Sequence, residues 1–191
     1  MKENSRNILT ITGNIAAGKT YIVKKLASML GMGTYSGSES FRRLARENNM
    51  TVTDFNEYVR DYPGVDKQID DATEEMINAS NNIVVDARLG WFVCPESFKV
   101  YIKVDLDTAT KRLIMDAKNR GQEEKYINES DAKKSIVLRE HFENARYLKE
   151  YGVDISDEKN YDFIIDTTNM TLEEAAEKIK EEYIKFKEKK K

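Results

Sequence analysis

Short apolar runs alternate with longer segments of helical periodicity along most of the chain. Between the runs, apolar residues recur every three or four positions, as at Ile22, Leu26 and Leu30, which predicts amphipathic helices. The runs are rich in β-branched and aromatic residues and predict five strands, at 8–12, 34–35, 83–85, 98–104 and 161–166. Alternation of this kind is typical of an open parallel sheet covered by helices on both faces, so we expect a three-layer α/β fold.

The interval between the second and third predicted strands is long and helical. Ser36 or Ser38 can cap a first helix, and two more helices are predicted over 51–60 and 65–79. Tyr62-Pro63-Gly64 separates these two helices as a turn signal. We therefore expect residues 37–80 to form a helical insertion over the carboxyl edge of the sheet.

The second half of the chain predicts a long helix over 129–149, preceded by a polar stretch without helical periodicity at 122–128. The polar stretch indicates a short lid, within a lid region of 116–130. On the long helix, four apolar residues are expected to face inward, namely Leu138, Phe142, Ala145 and Leu148. A capping box from Thr171 to Glu174 is expected to open the last helix.

The composition of the chain limits the classes of function that it can have. A length of 191 residues favours one domain, 1–191. The net charge of −3 does not call for nucleic acid or a membrane surface. No apolar run is long enough to cross a bilayer, and a single cysteine, Cys94, suits a reducing compartment, so we expect a cytoplasmic protein. One histidine and one cysteine make a zinc site improbable on composition.

The first predicted strand leads directly into Gly13-x-x-x-x-Gly18-Lys19-Thr20, the complete Walker A pattern. Glycines allow backbone angles that turn successive N–H groups towards a phosphate, and the following helix adds its N-terminal dipole. In such a loop the lysine contacts the β- and γ-phosphates and the threonine hydroxyl binds Mg²⁺. The segment 13–20 therefore predicts a site for ATP and Mg²⁺.

The third strand ends in Asp86-Ala87-Arg88, the position of a Walker B acid beside a phosphate loop. Asp86 is expected to orient Mg²⁺, and Arg88 to enter the same cleft. Simple pairing of these two charges with each other is the alternative.

Other charged residues leave two interpretations open. Arg139 and Arg146 are seven residues apart on one helix, which favours a phosphate-binding pair, although pairing with Glu143 and Glu150 at i,i+4 has the same spacing. The acids of the insertion are Asp66, Asp70 and Asp71. They are either part of a site or, more commonly for such residues, solvated.

The chain resembles the nucleoside monophosphate kinases, and in particular the archaeal-type cytidylate kinases, over residues 8–179. The motifs that carry the resemblance are I-T-G-N-I-A-A-G-K-T, S-G-S-E-S-F-R-R-L-A, P-G-V-D-K-Q-I-D, V-V-D-A-R-L-G-W, R-E-H-F-E-N-A-R-Y and Y-G-V-D-I-S-D. The resemblance implies a P-loop NTPase fold and transfer of a phosphoryl group from ATP to CMP or dCMP.

The resemblance also implies roles for individual residues. Catalytic roles fall to Lys19, Asp86, Arg88, Arg139 and Arg146, with Arg120 as a further lid candidate. The ATP site is expected to comprise Gly13, Asn14, Ile15, Ala16, Ala17, Gly18, Lys19, Thr20, Asp166 and Thr167. Ser36, Arg42 and Arg88 are expected to bind the acceptor nucleotide, and Mg²⁺ to bind Thr20 and Asp86.

Cytosine recognition requires hydrogen-bond acceptors and donors, for which Asp66, Asp70 and Arg60 are candidates. Three other functions stay open on sequence alone. They are a kinase of the same fold with another nucleotide or small metabolite as acceptor, a module that binds ATP without transferring phosphate, and, weakly, nucleic-acid binding by the C-terminal lysines.

Overall fold

The computed structural model describes residues 6–62, 64–120 and 128–190, without the side chains of 118–120. The strands are β1 (Asn7–Gly13), β2 (Gly33–Ser36), β3 (Asn82–Asp86), β4 (Phe98–Lys103) and β5 (Phe163–Asp166). The helices are α1 (Lys19–Leu30), α2 (Gly37–Glu47), α3 (Val52–Arg60), α4 (Gly64–Asn78), α5 (Gly90–Val93), α6 (Leu106–Arg120), α7 (Glu129–Tyr151) and α8 (Leu172–Lys189). A 3₁₀ turn spans Glu158–Asn160.

The described strands form one sheet in the order β2-β3-β1-β4-β5, and every pairing is parallel. β1 is central, so it is buried on both faces. Ile11 of β1 is level with Asp86 of β3, and Asp86 is level with Ser36 of β2. Parallel strands end at the same edge, and this register places Ser36, Asp86 and the loop after β1 together there.

Alternation along the strands separates two hydrophobic layers. Leu9 and Ile11 face one layer, which is completed by α1 and α8. Ile8, Ile83 and Val85 face the other, where Ile77 of α4 and Cys94 after α5 cover them. The predicted α/β fold with helices on both faces is confirmed.

Residues 37–80 contain α2, α3 and α4, which have a small hydrophobic cluster of their own around Phe55. Side-chain caps define where these helices begin. Ser36 accepts a hydrogen bond from the N–H of Glu39, and Thr51 accepts one from the N–H of Asp54. The capping box predicted at Thr171 and Glu174 is also formed.

One sequence prediction about this architecture is wrong. On α7 the residues expected to face inward lie elsewhere: Leu138, Ala145 and Leu148 are exposed and Phe142 is half-buried. The buried side of α7 combines apolar residues such as Ile136 with the charged residues Glu143 and Arg146, whose ion pairs with distant segments hold it against the cleft.

No helix in the described part of the chain is long and apolar enough to cross a membrane.

Candidate functional site

A cavity of about 560 Å³ opens at the carboxyl edge of the sheet, beside the ends of β1 and β3. One side is formed by the loop and first turn after β1, another by the insertion, and the third by α6 and α7. The polar residues that line it are Lys19, Thr20, Lys24, Ser38, Arg42, Asp66, Asp70, Asp86, Arg88, Arg112, Asp116, Arg139, Glu143, Arg146 and Tyr147.

The loop after β1 has the backbone that the Walker A pattern predicts. Gly13 has a φ of 145° and Gly18 a φ of 88°. A Cβ at Gly13 would lie 2.1 Å from the carbonyl oxygen of Ile102, so only glycine fits there. Ala16 also has a positive φ, 58°, which is unfavourable for a residue with a side chain. The helix α1 starts at Lys19, directly after this loop.

Lys19 lies across the base of the loop. Its ammonium group donates to the carbonyl oxygens of Gly13 at 3.0 Å and of Asn14 at 2.6 Å. Burial, and then the nearby charge of Arg88, lower the pKa of Lys19 to about 8, while carboxylates around it act in the opposite direction. An anion in the cavity would therefore supply counter-charge that this lysine lacks.

Asp86 and Thr20 both line the cavity and carry side-chain oxygen atoms. Asp86 is buried and accepts a hydrogen bond from the Ser36 hydroxyl at 3.2 Å. The described residues contain no group of three or more His, Cys, Asp or Glu side chains that could hold a metal by themselves. One carboxylate and one hydroxyl suit Mg²⁺, which takes few protein ligands and fills its shell with water and phosphate oxygens.

Arg88 connects the end of β3 to the loop and to α7. It donates to the carbonyl oxygen of Gly13 at 2.6 Å and forms an ion pair with Glu143 at 2.5 Å. Burial acts to lower the pKa of Arg88, but the negative charges of Glu143 and Asp86 outweigh it and raise the pKa. The open alternative, simple pairing of Arg88 with Asp86, is not what the structure contains.

Arg146 connects α7 to the insertion. Its Nε donates to Asp66 Oδ2 at 2.5 Å and its NH2 to Asp66 Oδ1 at 3.3 Å, and it also contacts Asn56. Both partners are buried. Arg139 is buried and lines the same cavity. The i,i+4 alternative is therefore wrong for Arg146, because its partner is Asp66 of α4.

Asp70 is the second buried acid of the insertion. The hydroxyl of Tyr151 donates to its Oδ2 at 2.9 Å. Burial raises the pKa of Asp70 to about 7, and the neighbouring charges of Asp66 and Asp71 act in the same direction. Asp71, by contrast, is exposed. Of the three acids, only Asp71 has the solvated position that is usual for such residues.

The remaining predicted residues divide into those at the cavity and those outside it. Arg42 lines the cavity and pairs with Glu39 at 3.1 Å. Arg60 is exposed and lies over the ring of Phe142, away from the cavity. Asp166 is exposed and accepts from the N–H of Thr168, whereas Thr167 is buried behind the cavity. The side chain of Arg120 and residues 121–127 of the lid lie outside the described residues.

Three further charged residues line this cavity or contact its phosphate loop, although the sequence analysis assigned no site role to any of them. Arg112 of α6 lines the cavity and donates to the hydroxyl and the carbonyl oxygen of Thr167, at 3.0 and 2.7 Å. Glu143 pairs with Arg88, and Glu140 accepts hydrogen bonds from the phosphate loop. Each of them lies beside an apolar residue or an arginine on α6 or α7, and this proximity was the sequence signal that could have identified them. It does not show which residue each one pairs with.

Comparison with known proteins gives a consistent result. The profile of the cytidylate kinase-like family matches residues 8–169. A cytidylate kinase of Archaeoglobus fulgidus is 35% identical over 170 residues, which are 88% of this chain and 90% of that protein. A cytidylate kinase of Thermoplasma volcanium is 31% identical over 172 residues, 88% of this chain and 86% of that protein.

Two further similarities concern chain length and fold. An S-adenosylmethionine-dependent nucleotide dehydratase of Lacinutrix mariniflava is 32% identical over 178 residues, 93% of this chain but 36% of that protein. The shikimate kinase of Acinetobacter baumannii, solved with shikimate, superposes with a TM-score of 0.61 at 13% identity, over 96% of each chain. The latter similarity shows the P-loop kinase fold.

Proposed function

The chain belongs to the cytidylate kinase-like family, as its motifs indicated, and from this premise we propose that it transfers the γ-phosphoryl group of ATP to CMP or dCMP. The products are ADP and CDP or dCDP. The observation that carries the proposal is a single cavity with the phosphate loop at one end, the insertion at the other and buried arginines between them.

On the donor side, the loop Gly13–Thr20 holds the triphosphate, with Lys19 next to the β- and γ-phosphates. The turn at Asp166 and Thr167, held by Arg112, is the expected contact for adenine. Thr20 and Asp86 have the oxygen donors that Mg²⁺ prefers, and they would hold it at the loop. When bound there, Mg²⁺ neutralises charge on the phosphates.

On the acceptor side, Arg88 is placed to bind the phosphate of the monophosphate, with Ser36 and Arg42 nearby. An oxygen of that phosphate forms a bond to the γ-phosphorus as the bond to the bridging oxygen of ADP breaks. This oxygen is already a competent nucleophile, so the reaction depends on position and charge more than on a general base. Arg139 and Arg146 supply positive charge between the donor and the acceptor phosphates.

The base would be recognised at the insertion. Both carboxylate oxygens of Asp66 are occupied by Arg146, whereas Asp70 uses Oδ2 for Tyr151. The second oxygen of Asp70 is therefore the better acceptor for the exocyclic amino group of cytosine. A keto oxygen at that position, as in uracil, would be repelled by the carboxylate form of Asp70, which predominates above about pH 7.

The decisive experiment is turnover across a panel of nucleoside monophosphates with Mg²⁺ and ATP. We expect CMP and dCMP to be the best acceptors by at least tenfold in kcat/KM. Turnover of AMP or UMP but not CMP would assign another acceptor to the same kinase.

A second measurement separates a kinase from a module that only binds ATP. Arg88→Ala should lower kcat by about a hundredfold or more, since it removes a charge that faces the transferred group. Arg43→Ala is the matched control, because Arg43 is exposed and pairs only at the surface with Glu47. A binding module would show no turnover in any of these proteins and unchanged ATP affinity in Arg88→Ala.

A further inference from the structure

Glu140 of α7 contacts the phosphate loop from outside the substrate cavity. Its Oε1 accepts hydrogen bonds from the side-chain amide of Asn14 at 3.2 Å and from the backbone N–H of Ile15 at 3.0 Å. Glu140 and Asn14 line a second cavity, of about 390 Å³, on the other side of the loop. Glu140 does not line the first cavity. A direct contact with bound nucleotide is therefore not its role.

Asn14 extends this contact into the sheet. Its Oδ1 accepts from the backbone N–H of Val104, just after β4, at 3.3 Å. Its backbone carbonyl accepts from Lys19 and from the N–H of Ala17. Among these four partners of Asn14, Glu140 is the one that belongs to α7.

The loop needs such external contacts because its own backbone is strained. Ala16, two residues after Asn14, has a φ of 58°, which costs free energy for any residue other than glycine. Within the loop, the backbone hydrogen bond from Ala17 to Asn14 is long, at 3.3 Å. A strained conformation persists only where its surroundings hold it in place.

The same helix also carries groups that face the substrates. Arg139 precedes Glu140 and lines the cavity. Glu143, one turn further, pairs with Arg88, which donates to the carbonyl oxygen of Gly13. α7 therefore contacts the loop directly at Asn14 and Ile15 and is linked to Gly13 through Arg88, so its position is coupled to the loop's position.

We propose that Glu140 is a positioning residue, whose two hydrogen bonds to the outer turn of the phosphate loop set where the donor phosphates lie relative to the arginines of α7. The inference rests on the proposed kinase function. It concerns hydrogen bonding and not charge, because a carboxylate next to a triphosphate is by itself electrostatically unfavourable.

This distinction defines the experiment. Glu140→Gln keeps an oxygen that can accept both hydrogen bonds but removes the charge, whereas Glu140→Ala removes both. We expect Glu140→Ala to lower kcat by about tenfold or more and to raise the KM for ATP, since small displacements of reacting groups are costly. The KM for CMP should change less than twofold. The kcat and the KM for ATP of Glu140→Gln should stay within about threefold of the wild-type values. This variant loses the charge but keeps an oxygen that accepts the hydrogen bonds.

His141→Ala is the matched control, because His141 is the exposed neighbour on the same helix. Thermal unfolding of each variant checks that the fold is intact. If Glu140→Ala does not fold, Asn14→Ala tests the same contact from the loop side. It should likewise lower kcat while the KM for CMP changes less than twofold. Wild-type kinetics in Glu140→Ala, or equal losses in the Ala and Gln variants, would overturn the inference.

The affinity for Mg²⁺·ADP, measured by calorimetry, separates this inference from the proposed function. If no monophosphate is phosphorylated by the wild type, the proposed function fails, but the loop contact is still tested. Weaker Mg²⁺·ADP binding in Glu140→Ala, with binding retained in Glu140→Gln, would then support the positioning role. Equal binding in the three proteins would refute it.

Discussion

At the residue scale, Asp70 links ionisation to stability. Its ordinary pKa is 3.8, and burial raises the pKa in the folded protein to about 7. Between these values the folded state binds one proton more than the unfolded state, so protonation favours folding there. The stabilisation is fully present below about pH 4 and is lost as the pH rises through about 7, where the buried carboxylate becomes charged.

Replacing Asp70 by Asn should therefore change stability in a pH-dependent way. The amide stays neutral and can still accept from Tyr151, so Asp70→Asn should melt at least about 3 °C above the wild type at pH 8. The difference should shrink as the pH falls and disappear below about pH 4, where Asp70 is protonated in both the folded and the unfolded state. Asp71→Asn, which alters an exposed carboxylate on the same helix, is the control and should show no trend with pH. A constant difference between Asp70→Asn and the wild type would contradict the assigned pKa.

At the element scale, α7 connects the parts of the site. Glu140 contacts the phosphate loop, Glu143 pairs with Arg88 at the end of β3, and Arg146 pairs with Asp66 of the insertion. These contacts lie on successive turns of one helix face. A buried charge that loses its partner is strongly destabilising, so α7 is fixed by the set of pairs and not by apolar packing alone.

Substitution of two nearby apolar residues can test which face of α7 is buried. Ile136 is buried in the cluster of α6 and α7, whereas Leu138 is 45% exposed. Ile136→Ala should lower the free energy of unfolding by about 2–4 kcal/mol, since it leaves a cavity. Leu138→Ser should change it by less than about 0.5 kcal/mol. Urea unfolding measures both values, and a larger loss at Leu138 would mean that the helix packs with its other face.

The orientation of α7 also shows which features could be predicted. The strand, loop and helix around Gly13 and Lys19 are contiguous in sequence, so the motif and its flanking periodicity were sufficient. The buried face of α7 depends on Arg88 and Asp66, which come from segments far away in the chain. Local periodicity selected the apolar stripe with Leu138 because it contains no information about those distant partners.

At the scale of the whole molecule, two hydrophobic clusters differ in size. The main cluster packs β1, β3 and β4 against α1 and α8, with many fully buried side chains. The insertion has a separate small cluster of Ala45, Phe55 and Val59. It is connected to the remainder partly through the polar pair of Arg146 and Asp66. Small clusters open at lower free energy than large ones, so local opening should begin in the insertion.

Hydrogen exchange should resolve this difference. We expect the amides of β1, β3 and β4 to exchange most slowly and those of α2 and α3 to exchange much faster. Addition of CMP should slow exchange in the insertion, whereas Mg²⁺·ADP should slow it mainly at the loop after β1, because a ligand protects the segments that it contacts. Uniform protection by either nucleotide, or slow exchange in the insertion without ligand, would contradict the separation of the two clusters.

The central place of β1 in the sheet has a consequence for biosynthesis. β1 is translated before both strands that flank it in the sheet, β3 and β4, at Asn82–Asp86 and Phe98–Lys103. On the ribosome, the strand that carries the phosphate loop must wait, unpaired and strongly apolar, until both partners have been translated. Parallel pairing over such separations is slow, and exposed strands are prone to aggregate. The centre of the sheet can therefore assemble only after the chain has been translated beyond β4.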